Sequence, residues 1–397
     1  MTTLTLIVVL LTLLLGIPVI WFCIQIAAGL LPSRVLSSHS SSGEVRTIVL
    51  VPAHNESVHL LPTLRTLLND IDDYTRVLVV ADNCTDDTAA VARLEGVEVI
   101  ERTNTTLFGK GYALDHGIQH LRLNPPQVLV ILDADCLPAP GSIQKIAKLA
   151  WSAARPVQAL YLMDNRGIPT LKGKIATFAW LVKNKVRPRG LNRLHLPCQL
   201  TGSGMAFPWH TLQGVCLATG SIVEDMKLGL ELTALGHPPL FSELTVVQSS
   251  FPSHEDGIKT QRTRWEHGHL SMLFNEGLPK LFQGVRQGNA ALFFLALDMC
   301  IPPLALLVLG LSGWTVVTGI FWLMSNNPIP FTFSVVYLLL IMFSVIFSWL
   351  GFGRTVVNGF ELLQVPWYIL GKLPVYASYL FRRQAQWIRS KRDNETK

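Results

Sequence analysis

The sequence predicts an α/β domain with a mostly parallel sheet, carried between apolar helices at its two ends. Three observations predict it. The apolar excess lies in Thr2–Leu31 and beyond Asn289, while the middle has ordinary globular composition. In that middle, short β-rich runs alternate with segments of helical periodicity, the pattern of a sheet covered on both faces. The carboxylate-rich motifs fall directly after the β-rich runs, and ligands of such sheets gather at the carboxyl ends of the strands.

The elements follow in order. Thr2–Leu31 holds no charged residue and is long enough to cross a hydrocarbon core of about 30 Å. A cleaved signal peptide fits less well, because no basic residue precedes the run and the run is too long. Arg34 follows it, so the N-terminus is expected outside and the next domain in the cytoplasm. Ser37–Gly43 is a polar linker, which closes an N-terminal region at 1–43. A single domain is expected over 44–285. It opens on a strand at Arg46–Val51 that ends at Pro52, then a helix at Ser57–Leu68. Strand Arg76–Ala81, helix Asp86–Leu94 and strand Val97–Ile100 follow. Helix Gly109–His120 and strand Gln127–Leu132 complete the alternation.

A membrane region is expected over 286–397. Asn289–Met324 and Phe331–Leu350 read as an in–out–in pair of spans, separated by a Ser-Asn-Asn-Pro turn. Val365–Phe381 mixes aromatics, prolines and Lys372 and reads as an interfacial segment. Arg382, Arg383, Arg389, Lys391 and Arg392 make a basic, cytoplasmic tail. The net charge of +6 is partly this tail, which suits anionic membrane lipids and not nucleic acid. The six cysteines show no C-x-x-C pair, so neither zinc nor a disulfide framework is expected. The Asn-x-Ser/Thr matches at Asn55, Asn83, Asn104 and Asn394 read as chance in a cytoplasmic domain.

The chemistry begins at Asp133-Ala-Asp135, directly past a buried strand. Two carboxylates at that spacing suit Mg2+ or Mn2+, which complete their shells with phosphate oxygens and water. Asp82 follows the second strand, where a carboxylate can bond a base or a ribose hydroxyl; Asn83, Thr85 and Asp86 beside it are also helix-capping types. Pro52, Ala53 and Glu56 follow the first strand and could hold a nucleoside, or Glu56 could serve a helix N-terminus. Glu224-Asp225 heads a helix expected at Asp225–Leu235. A carboxylate there can take the proton of an attacking hydroxyl, or merely complement the helix dipole. Gln261, Arg264 and Trp265 share one helical face; Arg suits a diphosphate and Trp a sugar face. His267 and His269 lack the further ligands that zinc needs.

Taken in order, Pro52-Ala-His-Asn-Glu56, Asp82, Asp133-Ala-Asp135, Thr201-Gly-Ser-Gly-Met205, Glu224-Asp225 and Gln261-x-x-Arg264-Trp265 resemble family 2 glycosyltransferases. The similarity covers about Val45 to His269. It is strongest to the membrane-integrated branch of cellulose, chitin, hyaluronan and poly-N-acetylglucosamine synthases. The resemblance implies a GT-A-like domain, a nucleotide-sugar donor, most simply a UDP-sugar, and a saccharide or lipid-linked acceptor. It implies that Glu56 and Asp82 contact the nucleoside, that Lys110 approaches the diphosphate, and that Asp133 contacts the donor. It assigns Asp135 to the metal, Asp225 to the base and Glu224 to its support. It sets Gly202, Ser203 and Gly204 beside the acceptor, and Gln261, Arg264 and Trp265 over diphosphate and acceptor. The chain departs from the pattern at Val223, where the family often carries Thr, and it holds fewer C-terminal spans than the large synthases.

The reaction so implied is an inverting transfer in exopolysaccharide or cell-surface glycan synthesis by a multi-pass membrane protein with a cytoplasmic catalytic domain. A single transfer to a membrane lipid and a non-catalytic scaffold are the competing expectations. A transporter would need paired ionisable residues within its spans, and Asp298 is the one candidate.

Overall fold

The computed structural model describes residues 3–33, 43–164, 170–220, 223–252 and 255–381. The expected basic tail, Arg34, most of the linker and Asn394 lie outside these residues.

The first apolar run is one helix, α1 (Thr3–Leu30). The alternation then runs β1 (Thr47–Ala53), α2 (Ser57–Leu68), β2 (Thr75–Asp82), α3 (Thr88–Leu94), β3 (Glu98–Arg102), α4 (Lys110–Leu121) and β4 (Val128–Ile131). Each expected element is present, with ends shifted by a residue or two. β1 carries on through Pro52 to Ala53. Beyond β4 come β5 (Leu137–Pro138), α5 (Ser142–Ala153), β6 (Val157–Asp164), α6 (Leu171–Leu181) and α7 (Arg187–Arg193). These are followed by β7 (Met205–Pro208), α8 (Glu224–Ala234), β8 (Leu240–Ser250) and α9 (Glu255–Met272).

One sheet orders the strands β3-β2-β1-β4-β7-β6-β8-β5. The first four are parallel. The expectation of a mostly parallel sheet needs correcting in its second half. β7 is antiparallel to both β4 and β6, and β5 is antiparallel to β8. Four apolar residues such as Met205–Pro208 carry no record of their direction, which is set by the chain that delivers them.

Side-chain alternation divides the buried strands between two cores. Val49 and Val51 of β1, with Val128 and Val130 of β4, pack against Leu60, Leu64 and Leu67 of α2 and Ile146 of α5. Ile48 and Leu50, with Leu129 and Ile131, pack against Leu114 and Ile118 of α4 and Leu228 of α8. Both faces are covered, so the strands read as continuous apolar runs. The register sets Leu50 opposite both Leu78 and Ile131. The motifs after β1, β2 and β4 therefore emerge at one edge.

Beyond α9 the chain forms α10 (Leu278–Gln287), α11 (Ala290–Met299), α12 (Leu304–Ser325) and α13 (Ile329–Ser348). The run expected as one span from Asn289 is two helices. Pro302 and Pro303 separate them, because proline lacks an N–H and cannot continue a helix. Among the described residues three helices, Thr3–Leu30, Leu304–Ser325 and Ile329–Gly353, are long and apolar enough to cross a membrane. Short helices α14 (Gly359–Leu362), α15 (Val365–Leu370) and α16 (Leu373–Phe381) close the described chain, with Phe360, Leu363 and Trp367 exposed.

The apolar helices are joined to the α/β domain by close backbone approach and by a buried polar group. α1 packs on α7 and α13. A Cβ on Gly190 would lie 1.9 Å from the Gln25 carbonyl oxygen, and one on Gly29 2.2 Å from that of Val186. Beside them Arg187 donates to Asp298 at 2.7 Å and to Gln25 at 2.8 Å, and Gln25 donates to Asp298 at 2.6 Å. Asp298 is thus a buried structural partner of Arg187, which accounts for its charge without transport.

Candidate active site

The carboxyl edge of the sheet opens into a cleft of about 270 Å3. Its floor comes from the ends of β1 and β2 and from the turns after β1 and β4, which supply Pro52 and Ala53, Asp82, Glu56, and Asp133 and Asp135. Its walls come from the first turns of α4 and α8 and from one face of α9. These bring Lys110, Glu224, Asp225, Gln261, Arg264 and Trp265 to the same cleft. Gly202 also lines it. Ser203 and Gly204, expected beside an acceptor, do not. Ser203 is fully buried, and its hydroxyl accepts the Asp133 N–H at 3.0 Å. A Cβ on Gly204 would come within 2.9 Å of Ala159 and 2.8 Å of Val247. The two residues support the wall from behind.

Two asparagines shape the floor. Asn55 and Asn83 have φ of 52° and 51°, a left-handed conformation that Asn tolerates better than most residues. Asn55 Oδ1 accepts the Thr85 N–H at 2.7 Å, and Asn83 Oδ1 accepts the Asn104 N–H at 2.7 Å. The turns after β1 and β2 are therefore tied together. Asp82 is buried and paired with Arg102 at 2.5 Å, so its carboxylate is held in place before any ligand arrives. Arg102, at the end of β3, was not singled out from the sequence.

Charge is concentrated around Lys110. Its ammonium meets Asp133, donates to the Gly202 carbonyl at 2.7 Å and lies 3.9 Å from Glu224. Gly202 makes this convergence fit, with φ +88°. A Cβ there would sit 3.3 Å from Asp225 Oδ2, 3.5 Å from Lys110 Nζ and 4.0 Å from Asp133 Oδ2. Burial pushes the Glu224 and Asp225 carboxyls above their ordinary range, and Lys110 pulls both back down. Asp133 and Lys110 hold opposite charges in contact, and burial is outweighed at Lys110, whose acidity is lowered by Asp133 and Glu224. A pair of carboxyls raised by burial beside a fixed cation is an arrangement for moving a proton near neutral pH.

Asp133, Asp135 and Cys136 bring ligand-type atoms within 4.8 Å of one another. The Cys136 thiol is buried, and burial drives its pKa well above the usual thiol value. The two carboxylates of the group fit a hard divalent cation such as Mg2+ or Mn2+. Among the described residues, His267 and His269 belong to no cluster of ligand-type atoms. The His267 imidazole meets the Val375 carbonyl at 3.0 Å, and His269 meets that of Met299 at 3.1 Å.

Several lining residues carry no sequence motif. The chain between α6 and α7 runs through a π turn, Val182–Val186, a feature common at functional sites. Lys183 from this turn faces the cleft, and burial lowers its pKa. Trp180 donates to the Tyr161 carbonyl at 2.9 Å, and its ring lies 5.0 Å from that of Trp265. A basic residue beside a tryptophan in an apolar helical run was the one available signal.

A family description, Glycosyltransferase like family 2, matches residues 45–268. The chain belongs to this family. The matched span includes every strand of the sheet and every residue named above as lining the cleft. Among solved structures, this glycosyltransferase-like chain resembles a mannosyltransferase from Pyrobaculum calidifontis in complex with GDP-Man and Mn2+. The identity is 17%, the TM-score 0.51, and the match covers 86% of this chain and 98% of that one. Glucosyl-3-phosphoglycerate synthase from Mycobacterium tuberculosis, with Mn2+ and UDP, matches at 16% identity and TM-score 0.40, over 61% of this chain and 84% of that one. An uncharacterized protein of Methanocaldococcus jannaschii is 34% identical over 100 residues, which are 25% of this chain and 40% of the relative's length. The fold is the GT-A-like α/β fold, with a mixed sheet.

Proposed function

We propose that the chain is a metal-dependent, inverting glycosyltransferase that moves a sugar from a UDP-sugar to an acceptor hydroxyl at the cytoplasmic face of a membrane. The catalytic unit is 44–285. The span in 1–43 and the two spans in 286–397 anchor it, as in the membrane-integrated branch that the motifs resemble. The observation that carries this reading is the convergence of Asp133, Asp135, Glu224, Asp225 and Lys110 at one cleft edge.

In this reading Glu56 and Asp82 hold the nucleoside, with Asp82 aligned by Arg102. Asp133 and Asp135 would hold Mg2+ or Mn2+, which supplies charge stabilisation to the leaving diphosphate. Arg264 adds a fixed cation for the same oxygens. Asp225 takes the proton of the acceptor hydroxyl as its oxygen attacks the anomeric carbon from the side opposite the diphosphate. The configuration therefore inverts, and an α-linked donor yields a β-linked product. Glu224 and Lys110 keep Asp225 poised between its two protonation states. Trp180 and Trp265 offer ring faces to the sugar or the acceptor.

The match to the Pyrobaculum mannosyltransferase over 86% of the chain supports continuity between the catalytic domain and the helices around it. The product belongs to cell-surface glycan or exopolysaccharide synthesis. The test is the purified full chain with a panel of UDP- and GDP-sugars, with Mn2+, Mg2+ or chelator. Metal-dependent release of nucleoside diphosphate from one donor is expected. No release from any donor would overturn the assignment.

A further inference from the structure

Beside the catalytic cleft lies a second cavity of about 250 Å3. The two are contiguous: Trp180, Lys183, Gln261, Trp265 and His269 line both. Its outer wall is Leu304, Ala305 and Val308 of α12 with Val345 of α13. These belong to two of the helices long and apolar enough to cross a membrane. Tyr368 and Ile369 of α15 close another side.

Away from the mouth, where Lys183 and Gln261 stand, several polar groups of this wall are already engaged. Glu266 accepts from Lys372 at 2.5 Å and from the Tyr376 hydroxyl at 3.0 Å. Arg187 is taken by Asp298 and Gln25. Arg262 lies over the Tyr368 ring at 5.3 Å. Against the wall of Leu304, Ala305, Val308 and Val345 a saccharide chain would lose water without gaining partners for its hydroxyls, which is costly. A hydrocarbon chain would gain the full apolar burial.

We infer that the acceptor is a hydroxyl-bearing membrane lipid. Its head reaches Asp225, past the Trp180–Trp265 pair, and its hydrocarbon tail fills the cavity between α6, α9 and α12. The inference rests on the proposed role of Asp225 as base, since an acceptor that must lose a proton is an alcohol and not a phosphate oxyanion. The bond formed is from the lipid oxygen to the anomeric carbon. The bond broken is from that carbon to the diphosphate, and the hydroxyl proton goes to Asp225.

The test uses the full chain in phosphatidylcholine nanodiscs, with Mn2+ and the donor that the panel identifies. The acceptors are glycerol and its hexyl, decyl and hexadecyl ethers. The ratio kcat/KM is expected to rise by up to about fourfold per methylene until the cavity is full, then to level off. Partition into the bilayer also favours longer tails, so two variants separate the causes. Ala305→Trp fills the cavity and is expected to flatten the series while leaving UDP affinity and acceptor-free UDP-sugar hydrolysis unchanged. Leu323→Trp, on the exposed part of α12, is expected to change nothing. In the wild-type chain a decyl ether with a terminal diazirine is expected to label residues within 175–182 or 258–265, whether or not Ala305→Trp folds. Labelling confined to the outer faces of α12 and α13 overturns the inference, as does an Ala305→Trp protein with an unaltered chain-length series. Equal transfer to soluble saccharides and to lipids overturns the tail site alone. Absence of all metal-dependent hydrolysis and transfer overturns the transferase reading beneath it.

Discussion

Asp225→Asn separates a catalytic base from a residue that only starts a helix. Asp225 Oδ1 accepts the Met226 N–H at 2.9 Å, and asparagine keeps that acceptor. Oδ2 faces the Gly202–Lys110 side of the cleft, where asparagine has no oxygen able to take a proton. Loss of general-base assistance costs about 10²–10⁴ in turnover, or about 3–5 kcal/mol of barrier. UDP affinity, which does not need Asp225, is expected to hold. The pH dependence adds a second sign. Burial raises the Asp225 pKa, so wild-type turnover is expected to climb with pH along a limb above the ordinary Asp range, and the variant loses that limb. Stability moves the other way. A carboxyl whose folded pKa is raised contributes stability that is present below its unfolded pKa and lost as pH rises through the folded one. Asparagine carries no such loss, so the variant's Tm relative to wild type is expected to grow as pH rises above the ordinary Asp range. Calorimetric UDP titration, initial rates across pH and thermal unfolding in detergent measure all three. Turnover within about fivefold of wild type, or a Tm that falls at the upper pH, would refute the reasoning.

Three further outcomes are expected. Asp135→Ala should abolish metal-dependent turnover and weaken Mn2+ binding with little change in Tm, because its carboxylate lies in the cleft and not in the core; full activity in metal-replete buffer would count against the two-carboxylate site. Gly190→Ala should destabilise the chain by about 1–3 kcal/mol or more, since the new methyl would lie 1.9 Å from the Gln25 carbonyl oxygen; a thermal scan in detergent with an unchanged midpoint would show that α1 and α7 can separate freely. A reporter that matures only in the cytoplasm should be active when fused after Lys397, and one active only outside should be silent there; the opposite pattern would reverse the proposed orientation.

What the sequence determined by itself was local or periodic. Long apolar stretches, charge-free but for Asp298 in α11, marked α1 and the later apolar helices, because a chain in hydrocarbon must be apolar along its length. Alternating buried strands and helices marked β1 to β4, and with them the edge where Asp82, Asp133 and Asp135 emerge. The motifs at Glu224-Asp225 and Gln261-x-x-Arg264-Trp265 could be named from their order along the chain. Their meeting in one cleft was decided by tertiary structure, because α8 and α9 are delivered there by β7 and β8, whose short apolar runs encode neither direction nor partner. The same holds for Lys183, Trp180 and Arg102, single residues without a motif, whose roles exist only where a π turn or a strand end aims them. Ser203 and Gly204 show the converse. Adjacent to Gly202 in sequence, they are turned away from the cleft by a bend, with φ +88° at Gly202 and +66° at Gly204, which the sequence does not encode as a period. The second cavity was invisible for the most general reason: its walls come from α1, α6, α9, α12, α13 and α15, and only packing brings segments so far apart in the chain around one space.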